Sequence, residues 1–222
     1  DIQSCFKKAN EIDDYIDAHF DYAFDEKYGY KTTFPTNTGT GMKAGYTLHL
    51  PSLSDARRLN DISAELGRFG LKFRTVYGDG QNGYGNLYQI STQKTLGQDE
   101  HEVIKDLDDI VLQIVNQEKE QREHFYKKDK IQMDDEIYKS YGVLKYARKL
   151  SLKDSMVLIS ELMTGISLGV LQFAHNGRYN INELIMDIQP AVLRQNSGKA
   201  MSVAETDVLR AEYIRKYLPE II

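Results

Sequence analysis

"LKFRTVYGDGQNGYGNLYQIS", residues 71–91, decides the fold. Its first half predicts a strand that stops at Gly78-Asp79-Gly80. The second half, YGNLYQIS, alternates Leu87 and Ile90 imperfectly and predicts a further strand, antiparallel to its predecessor. Upstream, "KTTFPTNTGTGMKAGYTLHLP" (31–51) reads as a glycine- and threonine-rich loop running into a strand near Lys43–Leu50, where Tyr46, Leu48 and Leu50 alternate with Thr47 and His49. "SLSD", with Ser52 and Asp55 three apart, has capping-box form. It predicts one helix carrying Ala56, Leu59, Ile62 and Leu66 and closing at Gly67 and Gly70. Ile2, Phe6, Ala9, Ile12, Ile16 and Phe20 predict a helix over 2–20.

After residue 98 the pattern becomes helical. Asp99, with Glu102 three on, predicts the N-cap of a long helix with Val103, Leu107, Ile110 and Ile114 on one stripe. Further helices are predicted at 134–149, 152–172, 179–189 and 204–218, the second of these started by Ser151 with Asp154. An α+β segment is thus followed by an all-helical one, with a boundary at the charge run near 126–132.

Composition narrows the function. Asp plus Glu number 33 against 28 Lys plus Arg, a net charge of −5, which argues against nucleic-acid binding, since phosphate contacts need a basic surface. Cys5 is the lone cysteine, which excludes an internal disulfide framework and a cysteine-rich zinc site and fits a reducing, cytoplasmic setting. The five histidines (19, 49, 101, 124 and 175) lack metal-ligand spacing, so no metal site is expected. No apolar run reaches the roughly 20 residues of a membrane helix, and no signal peptide is visible. Helical periodicity starts immediately after Asp1, which suggests a piece of a longer protein.

Two stretches could carry chemistry. Gly39, Gly41 and Gly45 would let backbone N–H groups approach an anion, with hydroxyls from Thr36, Thr38 and Thr40 and a cation from Lys43. The spacing is not that of a Walker loop. An ordinary Gly/Thr loop has the same composition. In the second stretch, Arg74 on a strand and Asp79 in a glycine-rich turn would suit phosphoryl transfer, where positioning and electrostatics do most of the work. Equally, "GDG" makes a good turn and Arg74 could cover a sheet edge.

Taken in order, "FPTNTGTGMKAG", "RTVYGDG" and "YGNLYQISTQKTLGQDEHEVIKDL" resemble the ATP:guanidino phosphotransferases, whose usual forms are CPTNxGTGMRAS, RGxYGEG and GNxYQISNQxTLG. The helical tail, including "IYKSYGVLKYARKLSLKD" and "TDVLRAEYIRKYL", is similar to the bacterial protein-arginine kinase branch. The resemblance implies an α+β fold: an incomplete antiparallel-sheet catalytic lobe of guanidino-kinase type over 1–128, then an all-helical dimerisation and phosphoarginine-binding domain over 129–222. It implies ATP contacts at Lys43, Ala44, Gly45, Tyr46 and Thr47 and at Arg74, Thr75, Val76, Tyr77, Gly78 and Asp79, with Mg²⁺ carried by the nucleotide. Asp79 would orient or deprotonate the substrate guanidinium.

Three positions depart from the pattern. Phe34 replaces the reactive cysteine, and its ring would either pack on a guanidinium face or fill the site. Asp79 replaces Glu and is one methylene shorter. Lys43 replaces Arg and loses the planar fork. In the tail, Asp207, Arg210 and Ala211 fall on the RDxxRA motif that binds phosphoarginine, with Thr206 in place of its first arginine. An ordinary i,i+3 ion pair would look the same in sequence. The implied activity is transfer of the ATP γ-phosphoryl group to protein arginines, marking proteins for the Clp protease machinery, by a cytoplasmic homodimer with no membrane partner. The alternative is a catalytically impaired homologue acting as an adaptor or phosphoarginine-binding module.

Overall fold

The computed structural model describes residues 1–34, 37–79, 83–93, 95–174 and 180–222. Thr36, Gly80 and His175, named above, and the first residue of the helix expected over 179–189 lie outside them. The chain divides into two compact units: Asp1–Val76 with Tyr88–Lys119, and Tyr77–Leu87 with Glu120–Ile222.

The first unit is α+β. Helix α1 (Ile2–Asp17) is capped by Asp1, whose carboxylate accepts from the Gln3 N–H. Its predicted apolar stripe is divided: Ile2 packs against the core and Phe6 is half-buried, edge-on to His101, while Ile12, Ile16 and Phe20 are exposed. A small ladder follows, β1 (Phe24–Asp25) with β2 (Gly29–Tyr30), and then β3 (Gly45–His49). The predicted Ser52 helix is instead two helices, α2 (Pro51–Asp55) and α3 (Leu59–Arg68), separated where Arg57 takes a φ of 58°. Ser52 makes no capping box. It is buried, and its N–H and that of Leu53 donate to the two carboxylate oxygens of Glu118, at 3.1 and 2.9 Å. A carboxylate 65 residues away in sequence thus serves the N-terminus that local side chains leave open.

Strands β4 (Leu71–Thr75) and β5 (Leu87–Thr92) pair antiparallel, as expected, with Leu71 opposite Thr92 and Thr75 opposite Tyr88. The sheet order is β3-β5-β4. Alternation sends Tyr46, Leu48, Phe73, Tyr88 and Ile90 to one face, where they pack with Leu53, Leu66, Leu107 and Ile114. That face is the core of the unit. Helix α4 (Glu100–Lys128) supplies its lid and starts as predicted, with the Glu102 N–H donating to Asp99 at 2.8 Å.

The second unit is helical. Helix α5 (Lys130–Tyr146) follows α4 after a break at Asp129, so the charge run is helical on both sides. Helix α6 (Leu152–Leu168) is capped by Ser151, as its spacing predicts. Helix α7 (Ile181–Asp187) lies within the 179–189 expected, α8 (Pro190–Ser197) is an additional helix, and α9 (Val203–Tyr217) opens with a capping box at Ser202. The core joins Ile137, Leu144, Met156, Ile159, Leu162, Leu184 and Ile214. No helix among the described residues is long and apolar enough to cross a membrane.

Candidate active site

The side of the sheet away from the core is polar and open. Gly45 and Thr47 of β3 and Lys72 and Arg74 of β4 are exposed, and Lys43 continues the same alternation one step before β3. Between them run Gln89 and Ser91 of β5, opposite Arg74 and Lys72. None of the three strands contains an Asp or Glu. Three cations therefore project from one face whose strands offer no carboxylate to neutralise them. Arg74 Nε donates to Gln89 Oε1 at 2.7 Å, which fixes the guanidinium along the sheet. Among the described residues no carboxylate lies within ion-pair distance of Lys43.

The registers set their spacing. The Thr92 N–H donates to the Ala44 carbonyl at 2.9 Å, and Thr92 Oγ1 accepts from the Ala44 N–H at 3.1 Å. Leu71 is opposite Thr92 on the other flank. Arg74 thus lies three residues, about 10 Å, beyond the row of Ala44, and two strands, about 9.5 Å, across. Gly45 keeps the face flat: a Cβ there would come within 2.8 Å of the Ile90 carbonyl oxygen.

The other predicted nucleotide contacts divide by face. Ala44 and Tyr46 point to the core side. Tyr46 donates its hydroxyl to Asp108 on α4 at 2.5 Å, and burial, with that carboxylate second, pushes the phenol up to about 12. Any role for these two toward a nucleotide runs through the backbone. Thr75 is half-buried and Val76 exposed. Tyr77, Gly78 and Asp79 belong to the helical unit, where Tyr77 packs against the core and stacks on Tyr84, while Gly78 and Asp79 are exposed. Burial raises the Tyr77 phenol above its usual range, with Tyr84 adding to it.

The loop before β3 is fastened rather than open. The Gly39 N–H donates to the Tyr30 carbonyl at 3.3 Å and the Thr40 N–H to the Thr95 carbonyl at 2.8 Å. Thr95 in turn donates to the Thr38 carbonyl, and the Thr40 hydroxyl accepts from the Met42 N–H. These donors are committed inside the fold, as in an ordinary loop, and the cradle read into Gly39 and Thr40 is not one. Phe34 is 67% exposed, and its carbonyl accepts from the Thr32 hydroxyl and the Asn37 N–H. None of the three cations lines either of two clefts of this unit. One of about 430 Å³ is bounded by Phe6, Asp13, Tyr22, Tyr30 and Gly41, the other of about 310 Å³ by Phe69, Leu71, Thr92, Val103 and Leu107.

In the helical unit, Arg210 is 1% exposed. Its Nε donates to the Ile188 carbonyl at 3.0 Å, and its Nη1 to the Leu150 carbonyl at 2.8 Å and Asp207 Oδ1 at 2.6 Å. Ala211 is buried beside it, and the Thr206 hydroxyl donates to the Ser202 carbonyl. The Asp207–Arg210 pair is thus no solvated helix pair: it joins α9 to the ends of two other segments. Sequence reasoning missed Lys72 and Gln89, although their two-residue spacing with Arg74 and their cross-strand register carry the signal.

Residues 1–121 match the family described as ATP:guanido phosphotransferase, C-terminal catalytic domain. Residues 130–221 match the one described as protein-arginine kinase McsB C-terminal domain. The protein-arginine kinase of Bacillus licheniformis is 39% identical over 98% of this chain and that of Bacillus subtilis 40% over the same share. The chain spans 59% of the length of each of these relatives. The duplicated taurocyamine kinase from Schistosoma mansoni, solved with bound transition-state analogue components, aligns at 30% identity and a TM-score of 0.45, covering 51% of this chain and 16% of that one. With a catalytic-domain match over more than half its length, the chain belongs to the ATP:guanido phosphotransferase family.

Proposed function

We propose that the chain is part of a kinase that transfers the γ-phosphoryl group of ATP to arginine side chains of proteins. The observation that carries this reading is the carboxylate-free sheet face bearing Lys43, Lys72 and Arg74. Such a face favours a polyanion, and phosphoryl transfer asks chiefly for charge and position. Lys43 and Arg74 balance phosphate charge, while Gly45 and Thr47 leave room for the nucleotide against the strand. A guanidinium nitrogen forms the new N–P bond as the γ-phosphorus–oxygen bond to ADP breaks, and the departing proton goes to the Asp79 carboxylate. Mg²⁺ is carried by the triphosphate, the usual arrangement for phosphoryl-transfer sites.

The identity to protein-arginine kinases across both halves of the chain supports a protein substrate over a small guanidine. By the same likeness, exposed protein arginines are the targets, the product marks proteins for the Clp protease machinery in the cytoplasm, and the helical unit dimerises. Incubating the intact protein with labelled ATP and an arginine-rich protein tests this. Acid-labile phosphoramidate is expected, and its absence from a folded, ATP-saturated enzyme refutes the reading.

A second reading, a phosphoarginine-binding module, rests on Asp207, Arg210 and Ala211. The burial of Arg210 and its bonds to two carbonyls and Asp207 require that network to open before a ligand could use it. A rise in melting temperature with free phosphoarginine supports this second role, and no shift counts against it.

A further inference from the structure

The segment that carries Asp79 parts company with the strand that leads into it. Residues Leu71–Thr75 form β4 in the sheet unit, yet Tyr77, Tyr84, Gly85, Asn86 and Leu87 pack with the helices. Leu87 is buried in the helical core, with Tyr77 and Tyr84 packed against it. The two tyrosine rings stack with centroids 6.2 Å apart, and the Tyr84 N–H donates to the Tyr77 carbonyl at 3.2 Å, closing the base of the loop. Gly85 presses on α6: a Cβ there would lie 3.1 Å from Met156 Cβ. Next to it, Asn86 Nδ2 donates to Ser160 Oγ at 3.1 Å. Met156 and Ser160 are four residues apart, on one face of α6, and both are 1% exposed. Gly85 and Asn86 both hold left-handed backbone, φ 78° and 51°, which glycine and asparagine tolerate best.

We propose that helix α6 positions the Asp79 carboxylate, with the Asn86–Ser160 hydrogen bond as the latch of the loop. This rests on the kinase reading above and adds the regulation of that site. An acid on an exposed turn samples many orientations, and a misplacement of about 1 Å costs roughly 100-fold in rate. Fastening both tyrosines and Asn86 to one rigid helical core removes most of that freedom. Any change in the helical unit that shifts α6 is then felt at Asp79. Asn86 touches neither nucleotide nor guanidinium in this scheme and acts as a positioning residue.

Two substitutions separate the latch from the backbone. Asn86→Gly keeps the left-handed conformation and deletes the amide. Asn86→Asp keeps a partner for Ser160, because a hydroxyl that accepts can also donate. In the intact protein, N86G is expected to lower kcat about tenfold while the KM for ATP stays within about twofold. N86D is expected to restore kcat to within about twofold. Hydrogen exchange of the amides over 77–87 is expected to quicken in N86G and not in N86D. Unchanged exchange in N86G, unchanged kcat, or an N86D as slow as N86G overturns the proposal. Should the parent form no phosphoramidate at all, the kinase reading fails. Exchange then decides the docking alone: lost protection in N86G supports it and unchanged protection overturns it.

Discussion

Two arginines show how differently the two units use the same side chain. Arg74 is exposed on a sheet face without carboxylates, held by a single bond to Gln89. Arg210 is 1% exposed and gives three bonds to the protein, two of them to the Ile188 and Leu150 carbonyls. A buried guanidinium must be satisfied internally, because leaving it unpaired costs several kcal/mol. An exposed one on an uncompensated face stabilises little and remains available to an anion. On the function proposed above, the sheet cation serves binding and the helical one serves architecture.

That contrast can be broken or sharpened by substitution. Arg210→Ala should cost the most, about 3–5 kcal/mol, by stranding Asp207 and two carbonyls, read from urea unfolding of the helical unit. Arg74→Ala should leave unfolding almost unchanged and, on the proposed function, lower kcat of the intact protein by about 100- to 1000-fold, the usual effect of removing one transition-state charge partner. If the two effects exchange places, the assignment is reversed. Glu118→Ala should destabilise the sheet unit by about 2–3 kcal/mol, since the Ser52 and Leu53 N–H groups lose their acceptor in a dry site.

Asp79→Glu should raise turnover about tenfold if the shorter carboxylate stops short of the guanidinium, and unchanged turnover would mean that the loop compensates. The smallest effect concerns pH. The Lys145 ammonium beside Glu220 holds its carboxyl below the usual value of 4.5, with Tyr141 adding to it. The folded form is depressed, so its contribution is present above pH 4.5 and lost as pH falls through the lower folded value. Lys145→Met should flatten the acid limb of the stability profile of the helical unit slightly.

Much of the fold was legible because local signals agreed with it. Asp99, Ser151 and the alternation of β3 and β5 mark their elements, and capping and pleat are local physics. The single helix expected from Ser52 failed because its N-terminal donors are served by Glu118, a long-range partner that no local window contains. The helix at Pro190–Ser197 carries its own punctuation, Pro190 in the first turn and Gly198 as the left-handed cap, in a stretch too short and too polar for apolar periodicity to mark it. At the candidate site the motifs named Lys43 and Arg74. Their shared face follows from register, and register needs Ala44 and Leu71 to flank Thr92. The spacing Asp207–Arg210 could not reveal that Arg210 is buried, since burial depends on carbonyls of Leu150 and Ile188 contributed by other segments.

The most direct measurement is ATP affinity by titration calorimetry across a cycle of parent, Lys43→Ala, Arg74→Ala and the double variant. If both cations face one triphosphate, each single change weakens binding about tenfold or more, and the double change loses less than the product of the two. Affinity that ignores both substitutions would contradict the account.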